Sequence, residues 1–387
     1  MEKADIKQFK PLKKKSSIIQ KGKADVFFIT ILLALLCIGL VMLFSASFVY
    51  ANNKFGDSYK FIKQQAIYAV VGLVLMYVIS RIDYHVYKKF AWALYFAVVG
   101  ILVILLILPP MISGVDYKRW LVIGPINFQP SEIAKFSIVL LFAYLMEKYE
   151  KKMKTLLFGF IFFVGLLGVV CALVVLEPHL SATILIFLLG AVMMFIGGVK
   201  LRYMFISAGV GVAVGATAIL TGVVGYGSDR FKYWLDPWAD SLGLGFQTIQ
   251  SLLAIGSGGF LGRGLGQSRQ KYLWVPEPHN DFIFAIVCEE LGFVGAMLII
   301  LLFCMLVWRG FSIARRAKDK FGSMLAVGLT FQVGLQALLN ILVVTNTIPN
   351  TGISLPFFSY GGTSIVILLC EMGIVLSVSR SARMAKN

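Results

Sequence analysis

The stretch from Pro276 to Phe284 reads PEPHNDFIF, and it sets two carboxylates, Glu277 and Asp281, with His279 and Asn280 directly before an apolar run of membrane-spanning length. A carboxylate in such a place can accept a proton from a nucleophile, and guanidinium or ammonium groups nearby can hold an anion. Similar groups recur along the chain: Lys118 and Arg119 beside Trp120, Glu132 and Lys135 in PSEIAK, Glu177 and His179 in EPHLS, and Arg263, Arg269 and Lys271 in GRGLGQSRQK. Charges at the ends of membrane spans are costly unless paired or hydrated, so each is a functional candidate, and together they can line one polar cleft.

Each also has a plain structural reading. Glu132 and Lys135 lie three apart on one helical face and suit a local ion pair. His179 and His279 each follow a proline near a helix start, where hydrogen bonding is the ordinary role, and the histidines of the chain show no metal spacing. Asn280 and Asp281 suit a helix N-cap, and Glu289 and Glu290, farther into the same run, suit pairing inside a bundle. Trp120, Trp234, Trp238 and Trp274 suit an aromatic belt at the membrane interface. The five cysteines fall in or beside apolar runs without CxxC spacing, and read as buried thiols. GRGLGQS lacks the strand and helix that frame a nucleotide-binding glycine loop.

The elements that must position these residues follow from composition. The chain has 387 residues, 59% hydrophobic and 14% charged, where a soluble domain is about a quarter charged. Its apolar residues come in unbroken runs of about 20 and do not alternate, which specifies an all-α integral membrane protein and not a barrel. The runs predict ten spans, at 26–47, 65–80, 91–109, 131–146, 156–176, 181–198, 203–225, 282–308, 323–344 and 364–379. A basic arm at 1–25 precedes spans 1–7 (26–225), a long loop at 226–281 precedes spans 8–10 (282–379), and 380–387 forms a tail. The loop is too rich in aliphatic and aromatic residues for disorder and is expected to pack onto the helices. Most of the 36 Lys and Arg fall in the arm, the tail and the connections on their side, so the positive-inside rule puts both termini in the cytoplasm and PEPHNDFIF outside. The net charge of +17 thus follows the membrane and implies no nucleic-acid partner.

These segments resemble the SEDS family (shape, elongation, division, sporulation). GRGLGQSRQKYLWVPEPHNDFIFAIVCEELGFVG is similar to its signature, a His-Thr-Asp-Phe-Ile-Phe core followed by an acidic pair and Leu-Gly or Phe-Gly. LFSAS at 43–47, KRWLVIGPINFQPSEIAKF at 118–136, LDPWADSLGLGFQTIQSLLAIGSGG at 235–259 and ISLPFFSYGGTS at 353–364 resemble further family motifs in family order. GLGQSRQK is more similar to the division and sporulation branch, the FtsW and SpoVE type, than to the rod-elongation branch. The chain departs from the pattern twice. Asn280 replaces the motif threonine, and EPHLS stands where the family commonly has Gln-Pro-Asp-Leu-Gly, which moves the acidic residue from the place of His179 to that of Glu177.

The resemblance implies a peptidoglycan glycosyltransferase that polymerises lipid II at the outer face of the bacterial plasma membrane and works with a class B penicillin-binding protein among division or sporulation proteins. The family's essential aspartate falls on Asp281, the expected base for the attacking sugar hydroxyl. Lys118, Arg119, Arg263, Arg269, Lys271, His279 and Ser359 are candidates to bind the diphosphate or the sugars of lipid II and of the nascent lipid-linked glycan. A divalent cation, Mg or Mn, is a further candidate to stabilise the leaving diphosphate. Glu132, Lys135, Glu177 and Glu277 are expected to support them, with Glu177 taking over the role of counter-charge to Lys135. A lipid II flippase and a non-catalytic scaffold for the transpeptidase are the alternatives. A flippase needs polar groups along a path through the bilayer, and the middles of these spans are nearly free of charge.

Overall fold

The computed structural model describes residues 22–108, 119–123, 126–206, 232–243, 245–272 and 274–384. Its helices are α1 (Val26–Phe55), α2 (Lys60–Arg81), α3 (His85–Lys88), α4 (Ala91–Ile107), α5 (Pro130–Lys148), α6 (Phe162–Leu176), α7 (Leu180–Ile196), α8 (Phe246–Gly258), α9 (Ile283–Arg315), α10 (Lys320–Val344) and α11 (Gly362–Met384). A π-helical turn, Leu156–Ile161, leads into α6, and one hairpin pairs β1 (Leu121–Ile123) with β2 (Ile126–Phe128) ahead of α5. Each expected span coincides with a helix except that at 203–225, which lies almost wholly outside the described residues. Among the described residues six helices are long and apolar enough to cross a membrane, and α4 and α7 are shorter apolar helices. Exposed Ile67, Val70, Val74 and Val78 run along α2 at helical spacing, the surface a helix presents to lipid.

Helix ends follow local chemistry. The Asp25 carboxylate caps α1 by accepting from Phe28 N–H, and Arg309 pairs with it at 2.8 Å. Asp319 caps α10 in the same way and accepts from Tyr84. The first span is longer than its apolar run, because VYANNKF continues the helix after hydropathy has fallen, and α1 extends through about half of the expected connection at 48–64. Its 30 residues make about 45 Å of helix against about 30 Å of hydrocarbon, so one end stands clear of the membrane core. Two of the five cysteines also differ from expectation: Cys37 and Cys304 face outward.

The long loop does pack onto the bundle, and it does so at a break in α9. Gly292, at φ 68° and ψ −168°, interrupts that helix, a conformation open to glycine alone. The backbone groups orphaned there are paired by the loop. Glu289 and Glu290 carbonyls accept from Arg263 and Gly264 N–H, at 3.0 Å each. Phe293 and Val294 N–H donate to the carbonyls of Gly259 and Phe260. Helix α8 and the GRGLGQ turn are thus spliced into α9 by main-chain bonds, as buried polar groups require.

The acidic pair completes this splice. Glu290 accepts from Lys271 Nζ at 3.0 Å, and from Ser45 of α1 at 2.7 and 2.8 Å. Glu289 accepts from Ser268 Oγ at 2.5 Å and from Arg269 N–H at 2.9 Å. Pairing inside the bundle is therefore the role of both glutamates. Lys271 is buried and committed to Glu290, with a further bond to the Gly266 carbonyl at 2.8 Å, so it is not a ligand for diphosphate.

Candidate functional site

Asp281 lies in the turn that enters α9, and three contacts fix the backbone of that turn. Asn340 of α10 donates to the Asp281 carbonyl at 2.7 Å and to the Ile353 carbonyl at 2.6 Å. Ser359 Oγ donates to the Asn280 carbonyl at 2.7 Å while accepting from Leu355 N–H at 2.7 Å. Tyr360 N–H donates to the His279 carbonyl at 2.9 Å. The ISLPFFSYGG segment therefore clamps the PEPHND segment. Phe282 occupies the N-cap position of α9 and offers no side-chain cap, so the N-cap considered for Asp281 falls one residue later. Its carboxylate instead faces a wall of bare backbone: a Cβ at Gly352 would lie 3.0 Å from Asp281 Oδ2. Gly352 also sits at φ +69°, so both space and backbone favour glycine there.

Asp281 opens onto a cavity of about 710 Å³ between α2, α5, α7, α10 and α11, whose lining also includes Lys60, Arg119, Glu132, Lys135, His179 and Glu277. The structure thus gathers Asp281, Arg119, Glu132, Lys135 and Glu277 as expected. Lys118 lies outside the described residues. Arg263 and Arg269 do not line the cavity; the Arg263 side chain donates to the Ser257 carbonyl at 3.2 Å, and Arg269 is exposed on the loop. Ser359 does line it, but its hydroxyl is spent on the two backbone bonds above. His279 lies beneath the wall, buried among Phe61, Tyr50 and Tyr360 with ring centroids at 4.3, 4.9 and 6.0 Å. Burial, with Lys54 adding to it, pushes its pKa down to about 4. Motif proximity had made a ligand of a residue that wedges the turn against an aromatic cluster.

The local pair at the start of α5 forms: Lys135 Nζ is 2.9 Å from Glu132 Oε1 and donates to Gln336 Oε1 at 3.0 Å. Glu177 is not its partner, which corrects the expectation that the carboxylate had taken over that role. Three residues of helix bring Glu132 to the ammonium, whereas Glu177 at the end of α6 is buried with Oε1 making no hydrogen bond. Burial pushes the Glu177 carboxyl up to about 8 against the opposing pull of Arg119. Burial, then Arg119 and Lys135, hold His179 down at about 3, so the ring faces the cavity as neutral imidazole, 3.4 Å from Gln129 Nε2. Arg119 donates to the Pro178 carbonyl between them.

These values carry a pH prediction. A carboxyl whose pKa rises from 4.5 unfolded to about 8 folded adds stability that is present at low pH and is lost as pH climbs through about 8. His179 and His279 lie below their unfolded values and contribute a constant amount above pH 6.5. Between pH 6.5 and 8 the wild-type protein should therefore lose about 1–2 kcal/mol relative to Glu177→Gln, read as converging or crossing melting temperatures. Parallel curves would show that Glu177 is ionised in the fold.

Several polar residues that line the cavity or stand behind it are not marked by any local motif. Lys60 opens α2, and Gln336 and Asn340 lie in the apolar run of α10. Glu371, in α11, is buried and accepts from Gln332 Nε2 at 2.8 Å. The polar letters inside otherwise apolar runs were the available signal for the last three.

The description "Cell cycle protein" belongs to a family model that matches residues 25–384. The chain is 40% identical over 362 residues to a probable peptidoglycan glycosyltransferase FtsW of Geobacter sp. (strain M18), covering 93% of this chain and 97% of the relative. Stage V sporulation protein E of Bacillus subtilis (strain 168) is 38% identical over 366 residues, with 94% and 99% covered. Among solved structures, a chain from work on the structural coordination of polymerization and crosslinking by a peptidoglycan synthase complex superposes with a TM-score of 0.77 at 28% identity, covering 93% of this chain and 98% of that one. The rod shape determining protein RodA of Thermus thermophilus gives 0.68 at 25% identity, with 92% and 97% covered.

Proposed function

The chain belongs to the SEDS family, and from that premise we propose that it is a peptidoglycan glycosyltransferase that polymerises lipid II at the outer face of the bacterial plasma membrane, for cell division or sporulation. The observation that carries the reading is the Asp281 carboxylate, held by a clamped turn in a cavity that also presents Lys60, Arg119 and the Lys135–Glu132 pair. Chain growth joins the 4-hydroxyl of an N-acetylglucosamine to the anomeric carbon of an N-acetylmuramic acid carried on diphosphate. Asp281 accepts the hydroxyl proton as the new bond forms, a contribution of about 10²–10⁴ in rate. Diphosphate leaves without protonation, and Arg119 is the cation assigned to its developing charge. An α-linked donor and a β-linked product make this a single inverting displacement with no sugar bound covalently to the enzyme.

A divalent cation, Mg or Mn, is supported by the chemistry of the leaving diphosphate, whose own oxygens would supply ligands; among the described residues no group of three or more His, Cys, Asp or Glu side chains comes together to hold one. No step is assigned to one. The relatives and the synthase-complex neighbour support a class B penicillin-binding protein as partner.

On sidedness, cysteines placed at Gly243 and Asn350 are expected to react with an impermeant thiol reagent in intact cells, and one at Lys318 is not. Labelling at Lys318 alone would put the cavity on the cytoplasmic side and end this reading. A glycosyltransferase also yields glycan from lipid II in detergent, where no second compartment exists, and a flippase or a scaffold does not.

A further inference from the structure

The end of α1 and the start of α2 form one wall of the cavity mouth, and their chemistry is unlike that of the floor. Phe55 is 44% exposed, and it lines the cavity with Phe61, Tyr360, Lys60 and Gln64. Lys60 Nζ lies 3.2 Å from the centroid of the Phe55 ring. Its neighbours are otherwise engaged: Lys63 pairs with Asp57 at 3.0 Å, and Lys54 donates to Tyr50 at 2.9 Å. Among the described residues Lys60 makes no close ion pair, with Asp57 acting on it only at longer range, and the ring beneath it holds the ammonium at the rim. Gln64 Oε1 accepts from Tyr360 at 2.6 Å, which leaves the amide N–H groups to face outward.

Aromatic side chains beside amide and ammonium donors, in a wet mouth at the projecting end of a helix, match neither the aliphatic tail of a lipid nor a belt residue that faces lipid. They match a sugar ring, which has an apolar C–H face and a rim of hydroxyl and acetamido oxygens. Two lipid-linked saccharides must meet at Asp281 in a cavity of about 710 Å³, so the strand behind the reacting sugar has to pass out of the mouth. We propose that the α1–α2 rim of Phe55, Lys60 and Gln64 is a subsite for the growing β-1,4-linked N-acetylhexosamine strand and retains it between additions. This deepens the glycosyltransferase reading and rests on it for the direction of growth, but sugar binding at the rim stands independently of catalysis.

Two measurements on the full-length protein test it. In the first, binding of an N-acetylglucosamine tetramer is followed by saturation-transfer NMR in detergent. Phe55→Ala and Lys60→Ala should each weaken it at least about tenfold, and Phe55→Tyr should bind as wild type does. In the second, glycan length from lipid II should fall at least about threefold in Phe55→Ala, with the rate of the first coupling kept within about twofold. Wild-type protein that makes glycan but binds no tetramer, or alanine variants with unchanged binding and, for Phe55→Ala, unchanged length, would overturn the subsite. Equal loss of first coupling and of length would do the same, because it marks a merely structural role. Tetramer binding lost in the alanine variants of a protein that makes no glycan would uphold the rim as a sugar site and count against the polymerase reading alone.

Discussion

Asp281→Asn is expected to lower the rate of glycan synthesis at least about a hundredfold, while the protein keeps its fold. Asparagine has the size of aspartate and lacks only the basic oxygen. The N-cap position of α9 belongs to Phe282 and not to Asp281. The backbone at Asp281 is held from outside, by Asn340 on its carbonyl and by Ser359 on that of Asn280. Gly352 adds no side chain to crowd the amide. Initial rates from lipid II, beside melting curves of both proteins, separate the outcomes. A variant that melts normally and polymerises normally would show that the base lies elsewhere.

The largest expected effect on stability is at Lys271. Its ammonium and the Glu290 carboxylate are both almost wholly buried, 3.0 Å apart. Lys271→Met leaves Glu290 in the bundle without its counter-charge, a loss of about 3–5 kcal/mol for a broken buried pair. The damage should spread through the splice at Gly292, because the same turn carries the N–H groups that complete α9. Adding Glu290→Gln removes the stranded charge and keeps an acceptor for Ser45, so the double variant should recover part of the loss. If Lys271→Met melts as wild type but fails to bind the lipid diphosphate, the lysine is a ligand after all and the ion pair is incidental.

Comparison of particular residues shows what kind of information the sequence carries. Glu132 and Lys135 were legible as a pair because helical spacing alone fixes their approach, and the helices were legible wherever an apolar run marks a span. The position of Asp281 at a cavity was legible because its segment combines a family motif with a span boundary. Lys271, His279 and Ser359 belong to equally strong motifs and were misread, since a motif places a residue near a site without saying which way its side chain turns. Lys271 turns into the acidic pair, His279 into an aromatic cluster, and Ser359 back onto the chain. Lys60 of α2 and Gln336 of α10 line the cavity, and Asn340 of α10 holds the Asp281 turn beside it; only tertiary packing brings the two helices together there. The last turns of α1 were missed for a different reason: hydropathy reports where lipid ends, and a helix that stands in water continues on its hydrogen bonds alone.

The central claim, that this protein forms glycosidic bonds between lipid-linked sugars at Asp281, is tested most directly by giving purified full-length protein lipid II in detergent, with and without a class B penicillin-binding protein, and resolving the products on a gel. The account predicts a ladder of glycan strands from the wild-type chain, at the latest when the partner is present, and none from Asp281→Asn in the same lanes. Lipid II left intact by the wild-type chain under both conditions, or a ladder of equal intensity from the asparagine variant, would contradict it.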